Sequence, residues 1–314
     1  MTIHRFLPYR WRTRIDATRH AQAIADVLET PPIVPRADGL VLFSMIGTAV
    51  VLPYLVAVKS LWAQLGRGRV ALLDDGTLTA QDRAILAHHC GDPEIIHLET
   101  VATAPFPQGG TWERLLTILD RRGSEYWIQL DSDTVTTGPV PEVREAISRN
   151  RSFILPGGLD SGPDLLPLAA FREQHYPQGA REEHVQFRIE SRIDSIPAER
   201  GWRYVRGCSG FAGFAAAGAG RGLASAFLAE MERMIGRADC AIWGTEQVAS
   251  NFQLANEPGT VLLPADRYLN YWGEPWADDA AFVHFVGTHR HAGKAYREAS
   301  RRVIDELHRR RDEP

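Results

Sequence analysis

An α/β fold, Rossmann-like, with a mostly parallel sheet and helices on both faces, follows from three observations. Apolar strand-like runs alternate with helical runs at least three times before residue 131. Helix start and stop residues separate those runs, and an acid pair, Asp131 and Asp133, closes one strand at its carboxyl end.

Taken in order, Ile15, Ala21, Ile24, Ala25 and Leu28 among charged neighbours predict a leading helix over 13–30, stopped by Pro31-Pro32. VLFSMI reads as a strand, and Pro53 suits the first turn of a helix running to Gly66. RVALLDD is the second strand of this βαβ unit. Thr79 opens the next helix as an N-cap, Gly91 closes it, and EIIHLE follows as a short strand. Thr111 likewise opens TWERLLTILDRR, after which YWIQL leads to the acid pair. From 157 to 203 the periodicity gives way to a Pro-, Gly-, Arg- and Glu-rich tract, read as an insertion. YVRGCSGFAGFAAA is then a glycine-containing strand or turn, RGLASAFLAEMERMIG and WGTEQVASNFQLA are helical, and 282–311 is a strand running into a terminal helix. The resulting organisation is an N-terminal helical extension (1–36), a main domain (37–298) and a C-terminal helix (299–314).

Composition narrows the function. Thirty-five basic against 39 acidic residues give a net charge of −4, with no broad attraction to nucleic acid or an anionic membrane. Cys90, Cys208 and Cys240 are odd in number and widely spaced, which predicts reduced thiols in the cytoplasm rather than disulfides or a zinc cluster. The N-terminal residues lack a secretory pattern. Residues 39–58 carry no charge and are long enough for a membrane span, but Gly47 and Pro53 favour strand, turn and helix, so no span is expected.

Chance alone gives about one D-x-D at this aspartate content, so the spacing of Asp131 and Asp133 proves nothing by itself. Its position does more: ligands of open α/β sheets bind beyond the carboxyl ends of strands, where two carboxylates can converge on a hard cation. The alternative is a pair of solvated strand-end acids.

YWIQLDSDTVTTG resembles the D-x-D strand of GT-A fold glycosyltransferases, and the order of the surrounding motifs resembles the glycogenin and galactosyltransferase-like family, family 8 of the retaining sugar transferases. VLFSMIGTAVVLPYLVAVKSL is similar to that family's first strand, nucleotide-contacting loop and first helix; GCSGF to its N-S-G turn; EQVASNF to its acidic-Gln-x-x-x-Asn signature; and FVHFVGTHRHAGK to its H-F-x-G-x-x-K-P-W ending. The resemblance spans about residues 40–296. It implies a GT-A fold, a nucleotide-diphospho-sugar donor, most simply a UDP-sugar, an acceptor of unspecified kind, and a metal site of Asp131, Asp133 and His284 suited to Mn²⁺ or Mg²⁺.

The same resemblance assigns Glu246, Gln247 and Arg114 to catalysis, with Glu246 as the acid facing acceptor and sugar and Arg114 as the basic residue reaching the donor. Ile46, Gly47 and Thr48 fall in the nucleotide loop, Asp74 and Asp75 near the ribose, and Ser132, Ser209, Gly210, Gly287 and Lys294 around the sugar and phosphates. Plainer readings stand beside these: a core histidine at 284, a helix-dipole acid at 246 and turn residues at 47–48 and 74–75. The chain departs from the pattern at Val50, where an aromatic is usual, at Cys208 for Asn, at Glu246 for Asp, and at Ala295-Tyr296 for Pro-Trp. The rival functions are a non-catalytic nucleotide-sugar-binding protein of the same fold and a nucleotidyltransferase, although SMIGTAVVLPY lacks the basic phosphate loop of the latter.

Overall fold

The computed structural model describes residues 9–312 apart from 159, 160, 163, 278 and 292. Helix α1 (Tyr9–Ala23) precedes the βα alternation of β1 (Leu40–Ile46), α2 (Val51–Leu65), β2 (Arg69–Asp74), α3 (Ala80–Cys90), β3 (Glu94–His97), α4 (Trp112–Arg121) and β4 (Tyr126–Leu130). There follow β5 (Thr134–Thr136), α5 (Pro141–Ser148), β6 (Phe153–Pro156), β7 (Leu166–Pro167), α6 (Leu168–His175), α7 (Val185–Glu190) and β8 (Arg203–Tyr204). The chain ends with β9 (Gly207–Phe214), α8 (Arg221–Ile235), α9 (Thr245–Ala255), β10 (Val261–Leu262), β11 (Tyr268–Asn270), β12 (Phe282–His284) and α10 (Ala295–Asp312).

Seven strands form the main sheet in the order β10-β6-β9-β4-β1-β2-β3. β3, β2, β1 and β4 are parallel, and β9 runs antiparallel between β4 and β6. Side chains of β1 alternate between two buried layers: Leu40 and Leu42 pack on the α2 face, Val41 and Phe43 on the face carrying α4, α8 and α9. A small sheet, β11-β12-β5, stands at the carboxyl end of β4, and this second sheet brings the far end of the chain back to the acid pair.

The predicted helix over 13–30 is two segments. The Ile24 amide shares the carbonyls of His20 and Ala21, so the winding tightens into a 3₁₀ turn over Ala25–Glu29 that buries Val27. Thr79 caps α3 with a capping box through Asp82. Thr111 does not cap α4: it sits at φ 72, and its hydroxyl turns to Glu246 at 3.1 Å. Elements 134–156 and 261–270 carry too few residues for a readable period. The tract 157–203 is held to the body by buried Glu190, which accepts from Tyr176 Oη (2.6 Å), Gln186 Nε2 (2.8 Å), Tyr204 Oη (2.9 Å) and Arg206 Nε (3.0 Å).

The stretch Thr48–Leu65 is long and apolar enough to cross a membrane, with mean hydropathy 1.4, and 56% of it is buried inside the fold. Its one charge, Lys59, is buried and donates to Thr30 Oγ1 (2.7 Å), the Thr30 and Pro31 carbonyls (3.2 and 2.9 Å) and His89 Nδ1 (2.9 Å). A lysine only donates, so His89 is neutral. Burial, and then the charge on Lys59, hold His89 down to about 4. An unfolded imidazole takes its proton near ~6.5; stability is therefore full above that pH and declines as pH falls toward 4. We expect melting temperature to drop between pH 7 and 5, and His89→Gln to flatten part of that slope; an unchanged slope would show that His89 is not the group responsible.

Candidate metal centre

The turn after β4 is pinned by the Asp131 amide bonding the Gly210 carbonyl at 2.8 Å and by Thr134 Oγ1 donating to the Asp131 carbonyl at 2.8 Å. Antiparallel pairing of β12 with β5 sets His284 opposite Thr134. As a result, ligand atoms of Asp131, Asp133 and His284 lie within 4.8 Å of one another. His284 Nε2 is 3.3 Å from Asp133 and 3.9 Å from Asp131, while its Nδ1 meets Asn270 Oδ1 at 2.9 Å and Cys208 Sγ at 3.3 Å. The Asn270 carbonyl oxygen fixes the proton on Nδ1 and leaves Nε2 for the carboxylate side, the usual outer support of a metal-binding histidine.

Gly210 makes room for this ring, since a Cβ there would stand 2.4 Å from His284 Cε1. We expect Gly210→Ala to displace the imidazole and weaken divalent-metal binding by about 10–100-fold; titration with Mn²⁺ checks it, and wild-type affinity would sever Gly210 from the site.

Two arginines take the outer carboxylate oxygens. Arg114 bonds Asp131 and also reaches Ser209 Oγ and Glu246 Oε2, each at 3.0 Å; Arg290 bonds Asp133. Burial works against ionisation of Asp133, but His284 and Arg290 outweigh it and hold the carboxyl down to about 2. Burial also opposes protonation of His284, yet Cys208 and Asp133 raise its pKa well above the ordinary value. At Glu246 burial prevails over Arg114 and Thr111, so its pKa is raised. Glu246 Oε1 is buried with no hydrogen-bond partner among the described residues. A raised pKa and a spare acceptor oxygen suit proton exchange with a hydroxyl.

Of the residues singled out in the sequence, Arg114, Asp131, Asp133, Ser209, Gly210, Glu246, Gln247 and His284 come together. Gln247 Oε1 accepts from the Ser209 amide at 3.2 Å, and its Nε2 donates to Gln186 of α7 at 3.2 Å. The Ser132 carbonyl accepts from Tyr296 Oη at 3.3 Å. Thr245 Oγ1 donates to the Cys240 and Ile242 carbonyls at 2.7 and 2.9 Å, and Gly244 is the capping position.

A second group gathers at the ends of β1 and β2. Ile46 is buried; Gly47 lies where a Cβ would come 2.2 Å from Asp75 Oδ2; and Thr48 Oγ1 donates to Asp82 at 2.7 Å. Asp75 is exposed and binds Thr77, whereas Asp74 is 2% exposed and engaged by Arg83 and the Gly76 amide. Gly287 opens a 3₁₀ turn at φ 43, and Lys294 is exposed just before α10. Asn270, Gln186 and Thr111 join the site without any signal in the sequence, because only the placement of β11, α7 and the turn before α4 brings them there.

No family model matches the chain, and no curated protein matches it. Among solved structures, the galactosyltransferase LgtC in complex with donor and acceptor sugar analogues is similar, with TM-score 0.50 and 12% identity over 85% of this chain and 95% of that one. An active-site mutant of LgtC gives TM-score 0.50 and 11% identity over the same shares. At that identity the likeness is one of fold. Together with the mixed seven-stranded sheet and its helical layers, it establishes that this chain has the GT-A fold of these glycosyltransferases.

Proposed function

We propose that the protein is a metal-dependent glycosyltransferase that moves a sugar from a nucleotide-diphospho-sugar, a UDP-sugar in the first instance, to an acceptor with retention of configuration. The observation that carries this is the convergence of Asp131, Asp133 and His284 beyond the carboxyl end of β4 in a GT-A fold. Two carboxylates and an imidazole with a supported Nδ1 fit Mn²⁺ or Mg²⁺, and these three residues would hold it. A bound divalent cation supplies charge neutralisation to the leaving nucleotide diphosphate.

The protein's own groups supply the rest. Arg114 fixes Asp131, Ser209 and Glu246 in one arrangement and offers positive charge beside the donor position. Glu246, with its raised pKa and an Oε1 that has no partner among the described residues, would meet a hydroxyl of acceptor or sugar. Gln247 ties that corner to Gln186 in the tract 157–203, which we assign to acceptor recognition; because the tract also supplies core residues such as Phe171 and Ile189, the test is Gln186→Ala, which should preserve donor hydrolysis and lower transfer. Ile46, Gly47, Thr48 and Asp75 would face the nucleotide. LgtC was solved with both donor and acceptor sugar analogues, which agrees with a two-substrate cleft here. Free cysteines at 90, 208 and 240 accord with a cytoplasmic location.

Calorimetric titration of UDP, and of GDP for comparison, with Mn²⁺ and with chelator tests the reading. Metal-dependent UDP binding followed by turnover of a UDP-sugar supports a transferase. Binding without slow donor hydrolysis would favour the non-catalytic receptor instead.

A further inference from the structure

Away from the acid pair, the seam between α1 and the start of α10 forms a partly open pocket with a cavity volume of about 30 Å³. Arg19 and His20 of α1 line one side, and His291, Lys294, Tyr296 and Arg297 the other. His20 is only 4% exposed, and neither ring nitrogen has a hydrogen-bond partner among the described residues. Its ring is fixed by stacking on Tyr296, with centroids 3.9 Å apart and planes at 20°. Two buried polar atoms left in this way are a rare arrangement in a folded protein and point to a missing partner.

The surroundings specify the charge of that partner. Burial, followed by the positive charges of His291, Arg290 and Arg297, drives the His20 pKa to about 3. One carboxylate, Asp16, lines the pocket, 3.7 Å from Arg19, against three permanently cationic side chains. The pocket also lies at the N-terminus of the 18-residue α10, where the first helical amides have no intrahelical acceptor and the helix dipole favours negative charge.

We propose that the α1–α10 seam is an oxyanion site that takes a phosphoryl group, with His20 donating one ring N–H and Arg19, Lys294 and Arg297 supplying the charge-assisted contacts. Its chemistry admits two sources: the diphosphate of the nucleotide donor, or a separate phosphate. Tyr296 and Arg290 connect the seam to the acid pair, through the Ser132 carbonyl and Asp133 respectively, so either source would fasten α1 against the body of the protein. The donor-diphosphate source rests on the proposed transferase reading; a separate phosphate would be held by the seam's own residues whatever the reaction.

The test titrates inorganic phosphate into the full chain at constant ionic strength, with chloride as reference, in wild type, His20→Phe and Arg297→Gln. His20→Phe keeps the stack on Tyr296 and removes both ring nitrogens; circular dichroism establishes that each variant is folded, and Arg297→Gln carries the test if His20→Phe is not. We expect saturable binding in wild type, weakened about tenfold or more in each folded variant. A parallel titration with UDP and Mn²⁺ separates the sources. UDP binding weakened in step with phosphate, and competition between the two, assign the site to the donor diphosphate; UDP binding unchanged assigns it to a separate phosphate. Phosphate effects that do not saturate, or that are equal in wild type and both variants, overturn the proposal.

Discussion

Asp133→Ala is expected to eliminate metal-dependent UDP binding in calorimetry and to lower transfer by at least ~10³-fold, the scale of losing a group that organises charge stabilisation in a catalytic centre. Asp133 is the carboxylate shared by His284 and Arg290, so its removal dismantles the cluster from two sides. Stability should change little. The Arg290 side chain is 34% exposed and can return to water, and His284, relieved of the carboxylate, can become a neutral imidazole. A folded variant that still binds UDP only with Mn²⁺ would remove Asp133 from the metal site. The same cluster predicts a pH dependence. Metal binding needs Nε2 unprotonated, and Cys208 and Asp133, against the effect of burial, raise the His284 pKa, so Mn²⁺ affinity should climb as pH rises beyond the ordinary histidine range.

Arg122→Met should produce the largest loss of stability. Arg122 and Glu257 have side chains 1% and 4% exposed, and Arg122 Nη1 meets Glu257 Oε2 at 2.9 Å. Ser152 Oγ (2.6 Å) and Gln253 Nε2 (3.0 Å) also donate to that carboxylate, joining the end of α4 to α9 and the start of β6. Taking away the guanidinium leaves a buried carboxylate uncompensated, which costs about 3–5 kcal/mol. Urea denaturation measures it. The double replacement Arg122→Met with Glu257→Leu should recover part of the loss, because no buried charge then remains. A single variant within about 1 kcal/mol of wild type would mean that the pair is not buried in solution.

The sequence alone was informative where local chemistry repeats. From Leu40 to Leu130, apolar runs, Thr79 and the glycines at 66 and 91 marked the βα units closely, since each strand and helix there follows its own period and its own caps. Asp131, Asp133 and His284 were identifiable because a motif order was present as well as single residues. Where elements are two or three residues long and lie between no clear start and stop signals, as at β10 and β11, there is no period to read.

Thr111 and Thr245 show the limit of local rules. Both have the residue type of an N-cap before a helix, and both spend their hydroxyls elsewhere, Thr111 on Glu246 and Thr245 on the Cys240 and Ile242 carbonyls. Partners far along the chain outcompete the adjacent amides. Asp74 is a similar case: a turn acid in the sequence, it is buried against Arg83 in the fold.

What the sequence by itself determined was the alternating α/β plan, because it depends on residue type and period; Asp131, Asp133 and His284 were singled out by the resemblance in motif order. Only the tertiary structure decided that β12 returns antiparallel to β5, placing His284 at 3.3 Å from Asp133, and that Asn270, Cys208, Arg114 and Arg290 surround the cluster. The contacts made by β12 and Arg290 with the acid pair join residues more than a hundred positions apart, and Arg114 reaches Asp131 through the packing of α4 on the sheet; no local period encodes either.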